Sequence, residues 1–165
     1  DEIFRVLKPY GGIAYLGVKN GDKQFLKKWT GYSKEKWEEH NGWVTVKRGI
    51  IPGAGEWTHL YAEPGNTACS KDSVEGPFEI QWFGQPGPRE MINRHSRPMA
   101  PLFKDGRLFV PGDNRIISVD AYNGTPLWNK YVPDSRVLGA LRDCGTMAVT
   151  SDHIYIAAGQ SALGF

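Results

Sequence analysis

The stretch Gly106–Trp128, GRLFVPGDNRIISVDAYNGTPLW, reads as three short strands in succession. Arg107–Val110 is an apolar run closed by a Pro-Gly-Asp-Asn turn. Ile116, Ile117 and Val119 make a second run, and Ala121–Gly124 turns the chain into a third, Pro126–Tyr131. Asn123-Gly124 is the sharpest turn signal, because glycine adopts positive φ at no steric cost and asparagine tolerates it. Trp128 falls in the third strand, where a large ring covers a pleated face. One such meander cannot bury both of its faces, so copies are expected. Trp82 and Trp128 stand 46 residues apart, each a few residues after a turn (Gly76-Pro77, Gly124-Thr125-Pro126). Met99-Ala100 followed by Asp105–Val110 recurs as Met147-Ala148 followed by Asp152–Ile156, and Gly112 maps to Gly159. A period of roughly 40–50 residues built from short strands is the signature of a propeller blade.

The motif itself, Ser118–Trp128, resembles the repeat of pyrroloquinoline-quinone-type β-propellers, in which an Ala-x-Asp-x-x-x-Gly-x-x-x-Trp pattern closes each blade. Asp120, Gly124 and Trp128 match that pattern, and Ser118 replaces its alanine. Upstream, Trp57, Tyr61, Asn66, Thr67 and Ser70, followed by a strand FEIQW ending in Trp82, are similar to the opening of such propellers. The resemblance covers about two-thirds of the chain. It implies a mainly β fold, a partial β-propeller of about two and a half four-stranded antiparallel blades.

A closed propeller needs at least four blades, more than 165 residues supply. The expectation is therefore a fragment of a longer protein, beginning without an initiator Met inside a helix and ending two strands into a repeat. No apolar run is long enough to span a membrane. With 20 basic and 18 acidic residues, dispersed along the chain, nothing argues for nucleic acid as a partner. Cys69 and Cys144 are 75 residues apart and imply no disulfide framework. Quinoprotein alcohol dehydrogenases carry a vicinal Cys-Cys pair beside the cofactor, and this stretch has none.

Ahead of the repeats the period changes. Ile3, Val6 and Leu7 have helical spacing, and Lys8-Pro9-Tyr10-Gly11-Gly12 stops the helix. Ile13–Leu16 follows as a continuous apolar strand of the kind buried in a parallel sheet. Residues 22–40 read as an amphipathic helix with Ser33 as a candidate N-cap, and Trp43–Val46 as an alternating strand. This resembles the late helix–strand unit of class I S-adenosylmethionine-dependent methyltransferases, where Leu-Lys-Pro-Gly-Gly leads into the fifth strand. The expected organisation is an α/β remnant over 1–50, a Gly/Pro linker over 51–55, and incomplete propeller blades over 56–165. The Gly-rich turn and ribose-binding acid of a methyltransferase have no counterpart here, so no cofactor-binding residue carries over.

The polar loop Gly84–Arg97 holds the candidate ligand-binding residues Arg89, Arg94, His95 and Arg97, with Arg142 in a second loop one repeat later. Guanidinium groups and an imidazole on a loop suit a carboxylate, phosphate or sugar edge. The alternative is a solvated loop whose arginines pair with neighbouring carboxylates. Trp57, Trp82, Asp120, Gly124 and Trp128 are structural repeat positions. No catalytic residue, nucleophile–base pair or metal set is visible. The expected function is a binding scaffold for a protein partner or a small polar or anionic ligand, the fragment itself being inactive and without cofactor. Two enzymatic alternatives concern the parent: a pyrroloquinoline-quinone-dependent dehydrogenase with catalytic blades beyond Phe165, or an S-adenosylmethionine-dependent methyltransferase whose substrate the propeller presents. Periplasm and cytoplasm are both open as compartments.

Overall fold

The computed structural model describes residues 2–17, 37–84, 87–92, 98–136 and 145–165. Among these the chain is mainly β, with three antiparallel sheets of three or four strands, none closed on itself. It divides into two compact units, Asp1–Ile51 and Pro52–Phe165.

In the first unit, helix α1 (Glu2–Val6) ends where expected, at a turn in which Tyr10 and Gly11 take φ of 55° and 112°. Strands β1 (Ile13–Gly17), β2 (Trp37–His40) and β3 (Trp43–Lys47) form a sheet of order β1-β3-β2. Both neighbours run antiparallel to β3, so β1 and β2 are parallel to each other. Two expectations are corrected here. Ile13–Leu16 does not sit buried in a parallel sheet: it pairs antiparallel with β3, and Ile13 and Tyr15 are exposed. Residues 37–40 are strand, not the end of a helix, because Asn41-Gly42, with φ of 43° and 82°, closes a two-residue hairpin onto β3. The rest of the expected helix, 22–36, lies outside the described residues. In β3, Val44 and Val46 are buried while Trp43 faces solvent, the alternation expected of a half-buried strand.

The second unit is built from β4 (Leu102–Lys104), β5 (Arg107–Gly112), β6 (Arg115–Asp120) and β7 (Pro126–Tyr131), a four-stranded meander in chain order. A three-stranded meander follows: β8 (Met147–Val149), β9 (Ile154–Ala158) and β10 (Ser161–Gly164). The three strands expected between Gly106 and Tyr131 are all present. The first runs on through Pro111-Gly112, which confines the turn to Asp113-Asn114. The last repeat holds three strands before Phe165 rather than two. The expected strand at Phe78–Trp82 does not form, and Phe78 and Ile80 stand in solvent.

Side-chain alternation explains why one meander needs the other. Phe109 and Ile116 point to one face of the first sheet, into a core with Leu102, Met147, Val149, Ile154 and Ile156 from both sheets. Val110, Ile117 and Val119 point to the opposite face, where Trp82 and Met91 cover them. Strands β5 and β6 are thus buried on both sides, whereas β9 buries Ile154, Ile156 and Ala158 and leaves Tyr155 and Ala157 exposed. Trp57 joins the sheets from outside the meanders. It exchanges backbone hydrogen bonds with Phe103 of β4, while the next residue's carbonyl, that of Thr58, accepts from Val149 N of β8.

Candidate functional site

The β6–β7 connection is held by its own polar groups. Gly124 N donates to Asp120 O at 2.9 Å, Asp120 N to Thr125 O at 2.9 Å, and Thr125 N to the Asn123 carboxamide oxygen at 2.9 Å. The Asp120 carboxylate accepts from Tyr122 N at 3.0 Å and is buried. A register shift at Ser118/Val119 re-aims the chain into this turn. Gly124 sits at φ +71°, and a Cβ there would lie 2.4 Å from Cε3 of Trp82. The indole of Trp82 therefore lies flat on the turn, and its Nε1 donates to Ala121 O at 2.8 Å. Of the five residues read as structural repeat positions, three meet here: Trp82, Asp120 and Gly124. Trp128 lies on β7, half-buried against the shared core, 6.0 Å from the Phe109 ring centroid. Trp57 is half-buried at the same core, its indole donating to Leu60 O at 3.2 Å.

The polar loop is tied down at Glu90. Its carboxylate accepts from Arg115 Nη1 at 2.9 Å and from Asn129 Nδ2 at 2.7 Å, and its carbonyl from Asp113 N at 3.0 Å. Met91 bridges Gly112 in antiparallel sense. The single acid of the loop thus clamps β5–β6 and β7. Arg89 is exposed and has no hydrogen-bond or ion-pair partner among the described residues. Arg94, His95, Arg97 and Arg142 lie outside the described residues, as does Cys144; Cys69 is a free, exposed thiol.

A cavity of about 500 Å³ opens between the two meanders of the second unit, with Arg107, Phe109, Trp128, Lys130, His153 and Phe165 in its wall. Lys130 Nζ stands 3.7 Å from the Phe165 ring centroid. The Arg107 side chain is exposed, and its guanidinium makes no hydrogen bond or ion pair among the described residues. The neighbouring Lys104 is committed: its ammonium donates to both carboxylate oxygens of Glu56 at 2.7 and 2.8 Å, and that bond holds its pKa above the ordinary value against the opposing effect of burial. Asp105 and Asp152 stand at the rim. His153 is exposed just before β9 and stacks on Tyr155 with ring centroids 5.9 Å apart. Chemically the wall offers an apolar, ring-lined floor with two cations not held by carboxylates. Sequence reasoning passed over Arg107 and Lys130. The available signal was period two, which puts Lys130 on the same face of β7 as Trp128.

Among the described residues no group of three or more His, Cys, Asp or Glu could hold a metal ion, and no helix is long and apolar enough to cross a membrane. Set against models of known protein families, curated proteins and solved structures, the chain matches none.

Proposed function

We propose that the second unit is a run of quinoprotein-like propeller blades that serves as a binding scaffold, and that it takes a small polar ligand with an anionic group in the slot between the two meanders. The observation that carries the blade reading is Trp82 on Gly124. The tryptophan of one repeat seals the turn that precedes the tryptophan of the next, so the 46-residue period is also a physical contact. The slot supports the ligand class: Arg107 offers a planar fork and Lys130 a point charge, beside the rings of Phe109, Trp128 and Phe165. A scaffold is favoured over a quinone-dependent dehydrogenase because Cys69 and Cys144 are not vicinal. For the first unit we propose methyltransferase-like ancestry. Its support is the strand order β1-β3-β2, in which β1 and β2 run parallel to each other and β3 lies antiparallel between them.

The test is a titration with benzoate, followed by heat and by tryptophan fluorescence, with benzylamine as the cationic control. Saturable benzoate binding that weakens at least tenfold in Arg107→Ala, with no benzylamine binding, is the expected result. Equal binding of both probes, or of neither, overturns the ligand assignment. Saturable pyrroloquinoline quinone binding coupled to alcohol oxidation would replace the scaffold by the dehydrogenase.

A further inference from the structure

The wall of the slot between the two meanders carries charge of both signs, from Lys104, Asp105, Arg107, Lys130 and Asp152. Only part of that charge is open to a ligand. Both carboxylate oxygens of Glu56 hold Lys104, and Asp105 lies 3.9 Å from the same ammonium. Lys130 Nζ stands over the Phe165 ring, a contact that leaves its charge uncancelled. Arg107 and Asp152 are exposed, and neither side chain makes a hydrogen bond or ion pair among the described residues.

The uncommitted charges come from different sheets. Arg107 opens β5 and Lys130 lies in β7, both in the first meander, whereas Asp152 stands in the β8–β9 turn of the second. In the repeat register Asp152 is the counterpart of Asp105. Asp105 follows Lys104, but Asp152 follows Ser151. The same turn acid is thus attended by a cation in the first meander and left bare in the second. The slot is cationic in balance, with one free carboxylate beside the half-buried ring of Trp128. A plain anion gains from Arg107 and Lys130 and is opposed by Asp152. A ligand that also carries an ammonium turns that opposition into attraction, while a lone ammonium meets more positive charge than negative.

We propose that the slot selects a zwitterion with an aromatic body, a free aromatic amino acid, over anions of the same shape. The carboxylate takes the planar fork of Arg107, the ammonium meets Asp152, and the ring packs on the Trp128 side of the wall. Asp152 is exposed, so its pairing adds discrimination rather than most of the affinity. The inference rests on the reading of the slot as an anion site and adds the second charge that decides between anions.

Three probes with one ring and one chain length test it by titration calorimetry of the full chain. Phenylalanine carries both charges, 3-phenylpropanoate lacks the ammonium, and phenethylamine lacks the carboxylate. Phenylalanine should bind about fivefold tighter than 3-phenylpropanoate, the gain of one exposed ion pair, and phenethylamine should show no saturable heat. Asp152→Asn should bring phenylalanine down to the level of 3-phenylpropanoate without weakening the latter, and that retained binding also shows that the variant folds. Equal affinity for phenylalanine and 3-phenylpropanoate overturns the zwitterion and leaves the anion site standing. A loss in Asp152→Asn shared by both probes overturns it as well, because Asp152 would then act on the wall and not on the ammonium. Binding of none of the three overturns it too, and benzoate then decides the anion reading by itself.

Discussion

Ser118 is wholly inaccessible to solvent, and its hydroxyl has no hydrogen-bond partner among the described residues. It occupies the place where the resembled repeat carries alanine. A buried hydroxyl without a partner costs roughly 1–3 kcal/mol of desolvation, so Ser118→Ala should raise stability by about 1 kcal/mol, read as a higher urea midpoint at unchanged slope. The turn two residues later is under the opposite constraint. Gly124→Ala places a methyl inside the Trp82 ring and a side chain at positive φ, and should cost roughly 2–3 kcal/mol. In a Trp82→Ala background only the backbone part remains, about 1 kcal/mol. A double-mutant cycle by denaturant unfolding isolates the difference, and additive losses would mean that ring and turn do not touch. These residues are legible because Gly and Asn are scarce in strands and their turns demand them. That Trp82 binds the turn ahead of the next tryptophan was not legible, since spacing gives a period but no direction of contact.

At the level of elements, strands survived translation from sequence best where a two-residue turn and period-two alternation agree, as in β5 through β7. Residues 37–40 went the other way. Glu38 and Glu39 favour a helix locally, but Asn41-Gly42 folds the segment onto β3, and pairing outweighs propensity. The same turn chemistry that located β7 was present at Asn41-Gly42 and would have located β2. Phe78–Trp82 errs in the other sense, a strand sequence with no strand beside it. Of the candidate arginines, Arg94, Arg97 and Arg142 lie outside the described residues, and the slot depends on β7 facing the β8–β9 turn, a proximity that no local pattern encodes. The tie between the opening segment and β4 makes a pH prediction. Folding raises Lys104 above its ordinary 10.5 through the Glu56 hydrogen bond, so the protonated form is favoured in the folded state. That contribution is complete below about pH 10.5 and is lost as pH rises through the folded value. Thermal unfolding from pH 8 to 12 should show an alkaline loss of stability that shrinks in Glu56→Gln. An unchanged alkaline slope would show that the pair contributes nothing.

For the second unit as a whole, the decisive feature is that neither meander owns its core. Leu102, Phe109 and Ile116 from the first sheet and Val149, Ile154 and Ile156 from the second bury one another, and Trp57 spans both. Repeats that each bury only half a core fold together or not at all, which is the physical content of calling them repeats. Strands β4–β7 and β8–β10 are two such units sharing one core, and they should open as one cooperative structure. Native-state hydrogen exchange tests this most directly, by comparing the amides of Ile116–Val119 in β6 with those of Ile154–Ile156 in β9. The slowest amides of both sets should share a common opening free energy, equal within about 1 kcal/mol. Exchange of the β9 amides through an opening several kcal/mol cheaper, with β6 still protected, would contradict it.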